Sequence, residues 1–356
     1  MYGDFEQGVL SQADFLTSVR LIESYVFRRA VCGLETKSMN KTFAEFNKHI
    51  DKEHYLESIM AHFMLLKSYR RFPLDDEFNM RIKLKDMYYF SSKTYWLKRL
   101  ENFGRKERVS VAEYTIEHIM PQTPNLSPEW MKSLGDHWQE IQKKYLHTIG
   151  NLTLTGYNSE YSDKPFTEKR DMKGGFKESP LVLNAGIGSL ETWDEKTIND
   201  RADRLADLAC KVWIQPSLTI DQLGPYIKVK SDAANYTLGD HEKLNAPHIR
   251  ELFNSLRTSI MAIDPFVTEV VNKLYVAYKA ETNFVDIVPQ KSRLRLSLNM
   301  PFDALSDPQE KAKNVTDLGR WGNGDVEVGF SDLAQLPYVM SLINQSFERQ
   351  MNSTDD

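Results

Sequence analysis

The chain has 356 residues, 41% hydrophobic and 27% charged, with a formal net charge of −5. This length allows two or three domains and a sizeable core, and the composition excludes a disordered, collagen-like or disulfide-stapled chain. No stretch approaches the roughly 18 apolar residues of a membrane span, and Met1–Gln7 lacks the basic and apolar regions of a secretory leader. A cytoplasmic location is the expectation.

Cys32 and Cys210 lie far apart, without metal-ligand or disulfide spacing, and read as small buried hydrophobes. The acidic balance does not advertise nucleic-acid binding, but an average hides local patches. Between Arg81 and Arg108 there are nine Lys/Arg, including Arg99 and Arg105, against three acids. Tyr88, Tyr89, Phe90, Tyr95, Trp96 and Phe103 interleave with them. Such a stretch can hold phosphates and stack bases. It is equally a solvated helix face over core aromatics.

Residues 1 to 108 read as helical. Phe15, Val19, Ile22, Tyr25 and Val26 recur at helical spacing, as do Tyr55, Ile59, Phe63 and Leu66. A third helix is expected near Ser92–Glu101. The texture then changes: 109–119 is rich in strand formers and stops at Pro121. Ser127-Pro128 reads as a helix start, with the helix running towards Leu146. Gly150-Asn-Leu-Thr-Leu-Thr155 reads as a short strand. A helix start follows at Pro165, and an amphipathic helix spans Trp193–Trp213. Residues 216–240, with Pro216, Gly224, Pro225 and Gly239, read as a linker, with a short strand possible at 226–229. Beyond it, over 241–350, helices are expected at 247–261 and 332–349. Strands are expected at 274–280, 284–288, 293–298 and 325–330. The tail from Met351 is polar and expected to fray.

One window carries chemistry. Glu117 and His118 close the first strand, where both side chains can approach one site. Asn151 opens the second strand and Asn158 follows its turn. Phosphodiester hydrolysis needs an activated water, charge relief at the phosphate and help for the departing oxygen. One histidine and one divalent cation on hard oxygen ligands suffice.

Tyr114–Gln122, His147–Thr155 and Asn158 with Lys164-Pro-Phe-Thr-Glu-Lys169 resemble the HNH nuclease domain of GmrSD-type, Type IV modification-dependent restriction enzymes. The resemblance covers about residues 10–215. It implies an α+β architecture: a helical region (1–108), a ββα-metal nuclease domain (109–215), a linker (216–240) and a small α/β accessory domain (241–350). It further implies His118 as general base, Glu117 and Asn158 as ligands of one divalent metal (Mg2+, or Mn2+), and Asn151 as the residue tying the loop that orients His118. Lys164, Lys169 and Arg170 follow the motif where cations can hold the DNA backbone. His147 is read as structural, with a substrate or metal contact as its alternative. The implied substrate is double-stranded DNA with modified bases, cut in defence against phage. The family's N-terminal ParB-like domain, linked to nucleotide-driven regulation, has no counterpart before the helical segment, and a separate subunit or piece is expected to supply it. Tyr275–Lys279, Phe284–Val288 and Arg293–Leu298 resemble an accessory domain fused to such nucleases. Its Arg293/Arg295 face, with Lys279, Lys291 and Trp321, is a candidate DNA reader, or else a solvated sheet face. Two other readings stand beside the nuclease: a non-catalytic module binding nucleic acid or a partner, and an RNA nuclease.

Overall fold

The computed structural model describes residues 1–34, 36–91, 93–227, 236–280, 282–316 and 324–352. The chain forms two compact units, Met1–Leu34 with Phe72–Ser217, and Glu35–Arg71 with Leu218–Asp356. The helical stretch expected over 1–108 is therefore shared: residues 35–71 belong to the second unit. Among the described residues no helix is long and apolar enough to cross a membrane.

The first unit packs helices around a two-stranded hairpin. The helix Gln12–Val31 starts at Ser11, whose hydroxyl accepts from the Asp14 amide. It buries Leu21, Tyr25, Phe27 and Val31. Phe27 stacks on Trp213 with ring centroids 3.9 Å apart. The helix Glu195–Val212 is started by a capping box between Asp194 and Thr197 and buries Ile198, Ala202, Leu205 and Ala209. Each of the larger apolar side chains among these contributes on the order of 1.5–3 kcal/mol through burial.

Strand β1, Thr115–His118, pairs antiparallel with β2, Leu152–Thr155, placing Glu117 opposite Thr153 and His118 opposite Leu152. The strand expected from 109 shortens to four residues because β2 offers four partners, and among the described residues no strand pairs with 109–114. Between the strands run two helices rather than one, Pro128–Leu134 and Trp138–Tyr145. Gly135 separates them with φ +82°, a conformation that suits glycine and ends a helix.

The second unit carries a six-stranded sheet, in order β3-β4-β5-β6-β8-β7. The strands are β3 Thr268–Val271, β4 Val276–Lys279, β5 Asn283–Pro289, β6 Leu294–Leu298, β7 Lys313–Asn314 and β8 Val326–Phe330. Every pairing is antiparallel, so this part is α+β and not the alternating α/β unit expected. Its core joins Phe253, Leu256 and Ile260 of the helix Pro247–Met261 to Val285, Ile287, Leu294 and Leu296 of the sheet, and to Leu342 and Ile343. The helix Leu336–Asn352 begins four residues later than expected, after a short turn at Leu333–Gln335. Sequence patterning did not find β3 or β7, which are polar or short and stand at the sheet edges.

The candidate reading face sets one carboxylate beside its two arginines. Glu327 lies 3.9 Å from Arg293 and 4.0 Å from Arg295, and Arg293 also donates to Gln290. Trp321 and the later part of the 226–229 strand candidate lie outside the described residues. Tyr226 itself ends a short 3-10 turn, Gly224–Tyr226.

Candidate active site

Glu117, His118 and Asn158 line one cleft of about 300 Å3, together with Tyr88, Gln122 and Asp163. Neighbouring strand residues ordinarily face opposite ways. Here His118 is the last paired residue of β1, and the chain turns immediately after it.

Asn151 holds that turn. The side chain is fully buried. Its Oδ1 accepts from the Met120 amide at 2.8 Å and from the Trp193 indole at 3.2 Å. Its Nδ2 donates to the Met120 and Leu146 carbonyls, both at 3.0 Å. One amide thus ties the segment after β1 to the segment before β2. Behind it, Arg201 donates to the carbonyls of Ile149, Gly150 and Leu183. Gly150 is needed for close approach: a Cβ there would meet the Ile198 carbonyl oxygen at 2.5 Å.

His118 is 5% exposed. Its Nε2 lies 3.0 Å from Nδ1 of His147. Tyr88 meets the His118 ring edge-on at 4.6 Å and stacks on His147 at 5.3 Å. The three rings restrict each other's rotation, and the two imidazoles can share a proton. His147 therefore packs directly against His118.

Glu117 is 3% exposed, and its Oε1 lies 2.6 Å from Nζ of Lys169. Lys169 is wholly buried and also donates to the carbonyls of His118 and Ile119 at 3.2 and 3.1 Å. Burial pushes the Glu117 carboxyl up to about 7, against the opposing pull of Lys169. Burial likewise pushes the Lys169 ammonium down, against the pull of Glu117. Taking both charges out of water costs more than their attraction returns.

Asn158 opens the short helix Asn158–Tyr161 and donates through Nδ2 to the Ile116 carbonyl at 3.4 Å. That leaves its amide oxygen as the group it can offer a cation. With the Glu117 and Asp163 carboxylates, the cleft presents hard oxygen donors suited in kind to Mg2+ or Mn2+. Among the described residues no group of three or more His, Cys, Asp or Glu is arranged to hold a metal, so an ion here would rely on the Asn158 amide and on water.

The cations expected to grip DNA are mostly committed elsewhere. Lys169 cannot reach a phosphate, because it is buried against Glu117. The Arg170 side chain is 10% exposed and pairs with Asp171 and Glu191 while donating to the Leu190 carbonyl. Arg99 pairs with Glu23, and Arg105 pairs with Glu101 and donates to the Pro180 carbonyl. Lys164 is the exposed member, at 44%, 3.8 Å from Glu168. Of the aromatics in the basic stretch, Trp96 is core and Tyr88 serves the site.

Sequence reasoning missed the places of Tyr88 and Asp163. For Lys169 a signal existed: Phe166, Lys169 and Arg170 stand at i, i+3 and i+4, on one helix face, and Phe166 marks that face as buried.

Residues 72–208 match the family model of GmrSD restriction endonucleases, C-terminal domain. Residues 238–350 match a domain family of unknown function, DUF5655. A Haemophilus influenzae relative, described as an uncharacterized protein, is 37% identical over 113 residues, which is 32% of this chain. The match spans 37% of that relative's length. No solved structure matches the chain.

Proposed function

We propose that residues 72–208, the GmrSD-type restriction endonuclease C-terminal region of this chain, form a ββα-metal HNH site that hydrolyses phosphodiester bonds in double-stranded DNA. The observation that carries this reading is one cleft lined by Glu117, His118 and Asn158, with Asn151 clamping the turn behind them.

In this reading His118 draws the proton from an attacking water. His147, at 3.0 Å, takes up or shares that proton, and Tyr88 keeps both rings in place. Glu117 and Asn158 hold one divalent ion, Mg2+ or Mn2+. When bound, that ion supplies charge relief at the scissile phosphate and stabilises the departing oxygen. Lys169 holds one carboxylate oxygen of Glu117 and two carbonyls of the turn, which fixes the direction in which the other oxygen is offered. The family resemblance supports cytoplasmic restriction of phage DNA with modified bases, with a ParB-like domain or subunit as partner. The choice of DNA then lies outside this cleft.

The test is cleavage of modified and unmodified DNA by the full chain, with and without a ParB-like partner, in Mg2+ and in Mn2+. His118→Ala is expected to lower the rate by about 100-fold or more, the scale of a lost general base, with DNA binding retained. Undiminished cutting by that variant would remove His118 from the reaction.

A non-catalytic, nucleic-acid-holding reading draws on the Glu117–Lys169 pair, since a carboxylate already facing a lysine attracts a cation less. Titration of the DNA-bound chain with Mn2+ separates the two. Binding that Glu117→Gln abolishes supports the nuclease, and no binding supports the module.

A further inference from the structure

A groove of about 460 Å3 opens beside the cleft, in the same unit and within the size range of ligand sites. Gln122 lines both, so the two adjoin at the loop that leaves β1. Gln142 braces that loop. It is 9% exposed and donates through Nε2 to the Pro121 and Thr123 carbonyls at 2.9 and 2.8 Å. The wall shared by cleft and groove is thereby held in place before anything binds.

The helix Trp138–Tyr145 forms the other wall. Gln139, Gln142, Lys143 and Leu146 recur at i, i+3, i+4 and i+7 and share one face, with Trp138 beside it. Trp138, Pro124 and Leu146 supply apolar surface, and Gln122, Gln139 and Lys143 supply polar groups. These polar groups are uncommitted. Lys143 is exposed and forms no salt bridge among the described residues. The Gln122 and Gln139 amides and the Trp138 indole N–H have no hydrogen-bond partner among them. By contrast, Lys144 pairs with Glu195 at 3.5 Å and lies over the Tyr145 ring. Lys169, Arg170, Arg99 and Arg105 are likewise engaged by carboxylates. Lys143 therefore offers a charge beside the cleft that no carboxylate already holds.

We propose that this groove takes an unpaired nucleotide of the strand being cut, next to the scissile phosphate. The base stacks on Trp138, the Gln122 and Gln139 amides meet its edge, and Lys143 meets its phosphate. The inference rests on the nuclease reading for the place of the scissile phosphate. A strand whose phosphate occupies the cleft continues past Gln122 into the groove. An indole stacks on any base, an amide carries both a donor and an acceptor for a base edge, and an ammonium binds phosphate as a point charge. Within a duplex both faces of a base are covered by its neighbours, so the occupant is a nucleotide turned out of the stack.

The test is fluorescence anisotropy with the full chain, without divalent cations, on a fully paired DNA duplex and on the same duplex carrying one unpaired nucleotide. The bulged duplex is expected to bind about fivefold or more tightly than the paired one. Trp138→Ala should erase that preference, and Trp138→Phe, which keeps a ring, should retain most of it. Lys143→Ala, a change at an exposed side chain, should weaken both duplexes alike and lower the slope of log affinity against log salt by about one. Lys144→Ala should change neither. The inference is overturned if the parent shows no preference for the bulge, if folded Trp138→Ala keeps it, or if Lys143→Ala leaves affinity and slope at parental values. None of these readouts needs cutting. Their failure beside His118-dependent cleavage removes the groove and leaves the nuclease, whereas bulge binding through Trp138 by a chain that cuts nothing removes the nuclease and keeps the groove.

Discussion

Lys169 and Glu117 meet at 2.6 Å with side chains 0% and 3% exposed, so the carboxylate beside His118 is held by an ammonium that solvent does not reach. Their environment disfavours both charges, and removing one leaves the other stranded. Lys169→Met should destabilise the first unit by about 3–5 kcal/mol, whereas Glu117→Leu/Lys169→Met should lie within about 1 kcal/mol of the parent. Urea unfolding of the three proteins checks this. A single variant as mild as the double one would mean that the pair is not strongly coupled.

The same pair sets a pH dependence. The Glu117 carboxyl is raised to about 7 in the fold, so the native state binds more protons than the unfolded chain between about 4.5 and 7. Its contribution, on the order of 3 kcal/mol, is fully present below about 4.5 and is lost as pH rises through about 7. Lys169 is lowered, so its contribution is present above about 10.5 and is lost as pH falls through its folded value. The pair's contribution should therefore be smallest above about 7 and below the folded value of Lys169. Urea midpoints from pH 4.5 to 7 should fall more steeply for the parent than for Glu117→Gln, and parallel curves would show that burial does not govern this carboxyl.

His147 is expected to matter through His118. With Nδ1 3.0 Å from Nε2 of His118, it is placed to share the proton and to fix the ring. His147→Ala should lower the single-turnover cleavage rate about tenfold and leave the circular dichroism spectrum unchanged. His147→Asn, which keeps a hydrogen-bonding group, should recover part of the loss. Equal rates for all three proteins would reduce His147 to a spacer.

Much of this was legible in the sequence, for physical reasons that also mark where legibility stopped. Glu117, His118, Asn151 and Asn158 stand at strand ends and turns whose residue types announce themselves. The helix Glu195–Val212 was visible from its shared apolar face, and Pro247–Met261 stands where a helix was expected. Lys169 was read by its charge as a surface cation, although its helix face is the one carrying Phe166. Asp163 follows Ser162, whose φ of +42° belongs to no periodic element, so no pattern placed it in the cleft. The departure of 35–71 into the second unit was hidden for another reason. Helical periodicity tells which face of Tyr55–Leu65 is apolar and is silent on which neighbour covers it.

Gly150 offers a test that does not pass through charge. It precedes Asn151, and the helix Glu195–Val212 crosses so close that a Cβ would lie 2.5 Å from the Ile198 carbonyl and 3.2 Å from the Ala202 Cβ. Backbone on one side and a rigid helix on the other leave nothing flexible to give way. Gly150→Ala should therefore cost about 1–3 kcal/mol, the scale of overpacking in a filled core. The displacement should also reach the active site. Moving residue 150 shifts the Asn151 amide, and with it the Met120 and Leu146 carbonyls that hold the turn after His118. Cleavage should fall further than the loss of folded protein explains, when measured at a temperature where the variant remains folded. A variant that unfolds earlier yet cuts at the parental rate per folded molecule would separate the packing of Gly150 from the geometry of His118.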